Sequence, residues 1–138
     1  MRTHGILMYY SNTGNTQTVS RYAASKFVVP FDLYDIRRDP LIDFSEYNVF
    51  CFATFTDCWQ PPKLMTDFIT SFSVPANAYA FSIFTFGSIP GRCKIMMTRL
   101  LQTKGFHVLP SHGIHTPENY PPAIKSGITA EKYPQTRD

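Results

Sequence analysis

The feature that most constrains this chain is an alternation of short, nearly unbroken apolar runs with segments whose apolar residues recur at helical spacing. His4 to Tyr10, Val49 to Phe55, Tyr79 to Phe86 and Phe106 to Ile114 are runs of the first kind. Bounded by turn residues, they suit strands of a parallel sheet covered on both faces, Val49 to Phe55 above all. Phe31 to Ile36 alternates apolar and acidic residues, as a half-buried strand does. Residues 15–27 place Val19, Tyr22, Ala23 and Phe27 on one helical face. Behind Pro61-Pro62, which can open a helix but not interrupt one, Leu64, Met65, Phe68, Ile69 and Phe72 repeat the pattern. Residues 92–104 form a third helix, with Met97, Leu100 and Leu101 inward and Gly105 as its stop. Residues 37–47 are polar, hold Pro40 and read as a connection. Five strands alternating with helices predict an α/β domain: a three-layer, doubly wound parallel sheet with right-handed crossovers. Pro110 inside the last run puts that strand at the sheet edge, where a missing N–H does least harm.

The chain's 138 residues, 43 % hydrophobic and 15 % aromatic, are enough for one core without staples. Only 17 % are charged, which argues against disorder. No apolar run approaches the roughly 18 residues needed to span a bilayer. Met1 to Gly5 has no signal-peptide layout, so a cytoplasmic address is expected. Three cysteines, Cys51, Cys58 and Cys93, without a C-x-x-C spacing, argue against a disulfide frame, a zinc site or an unaided iron–sulfur cluster. His112 and His115 are the only close histidine pair and have no evident third ligand, so no metal is expected. Residues 1–69 carry six basic and seven acidic groups, whereas residues 70–138 carry seven and three. Arg92, Lys94, Arg99 and Lys104 fall in one stretch without an acid. Nucleic acid would ask for a denser patch and a reading motif. The stretch is either a solvated helix face or a docking face for an acidic partner.

In open parallel sheets, ligands bind beyond the carboxyl ends of the strands, where strand order reverses. Three loops meet that condition: 11–16, 54–61 and 86–91. Ser11-Asn12-Thr13-Gly14-Asn15-Thr16 joins a strand to a helix, so first-turn amides are aimed beyond the sheet. Hydroxyls of Ser11, Thr13 and Thr16 and amides of Asn12 and Asn15 add donors, and Gly14 allows the turn. Together they make an uncharged anion cradle suited to a phosphate. The loop has no lysine, unlike the triphosphate-binding loop, and lacks the three-glycine dinucleotide pattern.

Ser-Asn-Thr-Gly-Asn-Thr after a first strand resembles the phosphate-binding loop of the flavodoxin family, and the likeness extends over residues 1 to about 120. The resemblance implies strand order 2-1-3-4-5 and FMN as cofactor, with the loops after the third and fourth strands sandwiching the flavin ring. The matching positions are Thr54, Phe55, Thr56, Asp57, Cys58 and Trp59 on one loop, and Phe86, Gly87, Ser88 and Gly91 on the other. Phe55 and Trp59 are the stacking candidates, while Gly87 and Gly91 let backbone approach the ring edge. A narrower likeness is to flavodoxin-like domains of anaerobes that precede a ferredoxin module. It rests on Asp43-Phe44-Ser45-Glu46-Tyr47, on Gly87-Ser88 and Gly91, and on Pro117-Glu-Asn-Tyr-Pro121. By that likeness Asn119 and Tyr120 close over the flavin.

Two departures bear on function. Flavodoxins end in a long helix, whereas residues 121–138 form a proline-rich tail with room for a turn or two at Thr129–Tyr133. The domain is therefore expected to be single over 1–138, with its core in 1–120. The first helix would then need another cover, such as a second copy of the chain or further sequence. A pI near 8.8 also differs from the usual acidic flavodoxin, and predicts a higher reduction potential. The expected function is FMN-based electron transfer between redox proteins, a ferredoxin among the candidates, with no residue acting as acid or base. The alternatives are a quinone or porphyrinogen oxidoreductase of the same fold, and an interaction module without cofactor.

Overall fold

The computed structural model describes residues 4–11, 14–56, 60–87 and 91–115. In chain order they form β1 (Gly5–Tyr9), α1 (Asn15–Lys26), β2 (Phe31–Asp35), β3 (Val49–Phe55), α2 (Lys63–Ser71), β4 (Tyr79–Phe86), α3 (Cys93–Lys104), β5 (His107–Val108) and β6 (His112–His115). Every pairing is parallel, in the order β2-β1-β3-β4-β5, with β6 also on β4. The expected doubly wound α/β sheet is therefore present, and element ends move by a residue or so. Between β2 and β3 the order reverses around β1, which makes the crevice above β1 and β3 the switch point.

One strand departs from expectation. Phe106 to Ile114 is not continuous: β5 and β6 are separated by Leu109-Pro110-Ser111. Tyr79 pairs with His107, but Ile83 pairs with His112, so one extra residue enters the edge strand between the two pieces. Pro110 has no N–H for the ladder, and a bulge at an edge accommodates it.

The two faces of the sheet are packed differently. Beneath α2 and α3 lies a core of Phe44, Phe50, Phe52, Phe72 and Phe106 with Met65, Ile69, Met97 and Leu101. The Phe72 ring has the centroids of Phe44, Phe50, Phe52, Phe68 and Phe106 within 5.0 to 6.1 Å. Burying each such ring stabilises by roughly 1.5–3 kcal/mol. The other face buries Leu7, Tyr9, Cys51, Ala53, Phe81 and Ile83, against which Val19, Ala23, Ala24 and Phe27 of α1 pack half-buried. Tyr22, which periodicity groups with them, is 38 % exposed. Lys26 Nζ lies 5.4 Å from its ring centroid.

Asp43-Phe44-Ser45-Glu46-Tyr47, on which the narrower likeness rested, anchors the connection from β2 to β3. Phe44 is buried edge-on against Tyr34 at 5.3 Å. Asp43 Oδ1 accepts from the Ser45 amide at 3.0 Å, which holds its carboxyl below the usual range. Tyr47 donates its hydroxyl proton to Asp32 Oδ2 at 2.6 Å. The tail expected over 121–138, with its turn at Thr129–Tyr133, lies outside the described residues.

Candidate functional site

The corner between β1 and α1 is built on Gly14, the helix N-cap, whose φ of 97° lies in the left-handed region that side chains disfavour. A Cβ there would meet no atom within 4 Å, so the requirement is conformational and the space above is open. Thr18 N–H donates to Gly14 O at 2.9 Å, which starts the helical ladder. The amides of Asn15 and Thr16, before it, have no intrahelical acceptor. Ser11 Oγ accepts from the amides of Gly14 and Gln17, each at 3.2 Å. The hydroxyl thus sits where first-turn amides converge, the position an anion's oxygen would share.

Thr16 is buried, and its Oγ1 lies 3.0 Å from Thr85 Oγ1 at the end of β4. The two hydroxyls join the first turn of α1 to the strand that leads into the 86–91 loop. A threonine hydroxyl that accepts from one partner can donate to another. If Thr85 donates, Thr16 keeps its own proton for a ligand. Asn12 and Thr13 lie outside the described residues.

The second loop begins at Thr54, fully buried, whose Oγ1 donates to Phe55 O at 3.3 Å. Phe55 is half-buried, with its ring centroid 5.2 Å from that of Tyr10. The Arg37 guanidinium lies 5.7 Å from the Tyr10 ring centroid. Thr56 N–H donates to Thr85 O at 2.9 Å and carries the β3–β4 ladder past the strand end. Its Oγ1 is buried; among the described residues it makes no hydrogen bond of good geometry, and the Cys93 thiol is the group it interacts with. Asp57, Cys58 and Trp59 lie outside the described residues.

On the third loop, Phe86 and Gly87 are half-buried, and Gly91 is exposed with φ 65°. Cys93 opens α3 fully buried, and that burial pushes its thiol up to about 11. Cys51, also buried, has its thiol pushed up by desolvation. Neither is a nucleophile near neutral pH. Ser88, Asn119 and Tyr120 lie outside the described residues.

The structure therefore brings Ser11, Gly14, Thr16, Thr54, Phe55, Thr56, Phe86 and Gly87 to the carboxyl ends of β1, β3 and β4. Tyr10 and Thr85 belong with them and were not singled out by sequence. The apolar run hid Thr85 as one more strand residue, and its partner is 69 positions away. An open groove of about 460 Å³ between Leu41–Ser45 and Phe68–Pro75 lies towards the opposite strand ends. Among the described residues, no helix is long and apolar enough to cross a membrane, and no three His, Cys, Asp or Glu cluster as metal ligands do.

No protein-family model and no curated protein matches this chain. Solved structures do match. A Streptococcus pneumoniae TIGR4 flavodoxin aligns with TM-score 0.68 at 16 % identity, over 94 % of this chain and 99 % of that one. A flavodoxin from the domain Archaea aligns with TM-score 0.67 at 16 % identity, over 85 % and 87 %. A flavoprotein in complex with FMN from Lactobacillus acidophilus NCFM aligns with TM-score 0.66 at 12 % identity, over 81 % and 93 %. The chain has a flavodoxin-like fold.

Proposed function

We propose that this chain binds FMN at the carboxyl ends of β1, β3 and β4 and carries electrons between redox proteins in the cytoplasm. The observation that carries the reading is the α1 corner. A left-handed Gly14 and a polar turn present first-turn amides and hydroxyls to open space at the switch point of the sheet. A phosphate dianion is the group such a corner suits, because the helix end contributes partial positive charge and the amides donate. The flavin-bound neighbour from Lactobacillus acidophilus supports FMN as the mononucleotide.

The donor set fits the cofactor on this chain's own terms. Asn15 and Thr16 amides and the Ser11 hydroxyl would hold the phosphate. Thr56 Oγ1, buried at the end of β3, would accept or donate at the flavin's polar edge. Phe55 and Tyr10 would form an apolar wall beside the ring. FMN, when bound, supplies one- and two-electron redox chemistry. The protein's part is to hold it, orient it and exclude water from one side, with no residue required as acid or base.

Titration of FMN and riboflavin by flavin fluorescence quenching tests this. FMN binding at least a hundredfold tighter than riboflavin is expected, since riboflavin lacks only the phosphate. Equal affinities would remove the phosphate from the corner and with it this reading.

A further inference from the structure

Helix α3 begins beside the 86–91 loop, at the same end of the sheet as the proposed FMN site, and its charge runs against its own stability. Arg92 is the N-cap, Lys94 lies in the first turn, and no acid occupies that turn. Helix N-termini carry partial positive charge, so cations there are repelled and acids are the stabilising choice. Arg92, Ile95 and Arg99 share one helical face at i, i+3 and i+7. All three are exposed, Ile95 by 48 %, and Lys94 flanks them, exposed as well. The ion pairs among the described residues are His4–Asp32 and Lys63–Asp67, so none of these three cations is neutralised by one. Lys104, at the other end of α3, is different: its ammonium donates to Thr70 O at 2.8 Å and ties the helix to α2.

Five of the six described acids lie across the molecule, and the sixth, Asp67 on α2, is paired with Lys63. Asp32 and Asp35 are on β2, the opposite edge strand, and Asp39, Asp43 and Glu46 follow in the connection after it. The sheet thus separates an acidic edge from a basic helix next to the site. Such a distribution orients an approaching partner and raises encounter rates. Ile95, with Arg92 and Arg99 on its own face and Lys94 on the flank, adds an apolar contact to the charged patch, as a small docking surface does.

We propose that the exposed face of α3 formed by Arg92, Lys94, Ile95 and Arg99 docks an acidic redox protein next to the cofactor. This deepens the proposed function and rests on it for the nature of the partner. The three cations donate to carboxylates of that protein, Ile95 fills the dry centre, and the FMN pocket lies at the patch's edge.

The test uses the full-length, FMN-supplemented chain and a small acidic [2Fe–2S] ferredoxin as probe, titrated calorimetrically at low and near-physiological salt. Lys94→Glu with Arg99→Glu should weaken binding at least tenfold and flatten its salt dependence. Arg21→Glu, exposed on α1 at the other face of the sheet, should change the dissociation constant less than twofold. Lys94→Glu alone should leave the thermal midpoint unchanged or raise it, because an acid suits that turn, so lost binding is not lost folding. An absence of ferredoxin binding at low salt would overturn the proposal. So would equal losses from Arg21→Glu, which would reduce the effect to net charge. Tight binding of a polyuridine oligonucleotide with the same sensitivity, and none of ferredoxin, would assign the face to nucleic acid instead. Ferredoxin binding in this pattern by a chain that takes up no FMN would break the proposed function and leave the docking face standing.

Discussion

The two ends of the sheet solve opposite problems. At the amino ends of the strands, the polar groups close on one another. His4 N–H donates to Asn48 Oδ1, Tyr47 donates to Asp32, and His4 Nε2 lies 3.2 Å from Asp32 Oδ2. The phenylalanine cluster fills the space behind them. At the carboxyl ends, Gly14 holds a left-handed turn, the Asn15 and Thr16 amides start the helix without intrahelical acceptors, and cations start α3. Local stability explains the first end. The second is where the proposed cofactor, at α1, and the proposed partner, at α3, would bind.

That contrast can be broken by substitution. Phe72→Ala, in the closed region, removes a ring packed among five others and should cost about 3–5 kcal/mol. Denaturant unfolding would show it, and FMN affinity of the folded fraction should hold within a factor of two. Gly14→Ala should invert the pattern. Its left-handed φ costs an alanine roughly 1–2 kcal/mol, but FMN affinity should fall more than tenfold while riboflavin affinity barely moves. Thr85→Val keeps the shape and removes the hydroxyl that meets Thr16. It should cost about 1 kcal/mol and weaken FMN several-fold more than riboflavin, whereas Thr85→Ser should behave like the parent. An equal loss for both flavins would reduce the Thr16–Thr85 bond to a purely structural link.

The smallest effect belongs to the closed end and to pH. Burial, and then the hydrogen bond to Asp32, push the Tyr47 hydroxyl from a tyrosine's ordinary 10.0 up to about 12. A phenol whose folded pKa is raised contributes stability that is complete below its unfolded pKa. The contribution is lost as pH climbs through 10 towards 12. Tyr47→Phe should therefore flatten the alkaline fall in stability across that window. Identical slopes in both proteins would show that the Tyr47–Asp32 contact is not held in solution.

Much of the fold was legible because burial on both faces leaves a plain signature: Val49 to Phe55 could hardly be anything but a central strand. The break in the last strand was not. Pro110 marks an edge, but a one-residue slip between β5 and β6 depends on how β4 meets each piece. The α1 corner was legible from its polar turn, since few uses exist for so many donors between a strand and a helix. The role of Ser11 as acceptor for two amides was not, because a hydroxyl's direction is set by backbone geometry. What Phe44 and Tyr47 do was not legible either: they entered the reading only as part of a likeness, and the structure gives them core and hydrogen-bonding work.

A phosphate seated at the start of α1 would touch the backbone amides of Asn15 and Thr16. Nuclear magnetic resonance of the labelled protein should show these amide protons moving downfield on adding FMN and staying in place with riboflavin. Movement with both flavins, or with neither, would contradict a phosphate seated at the start of α1.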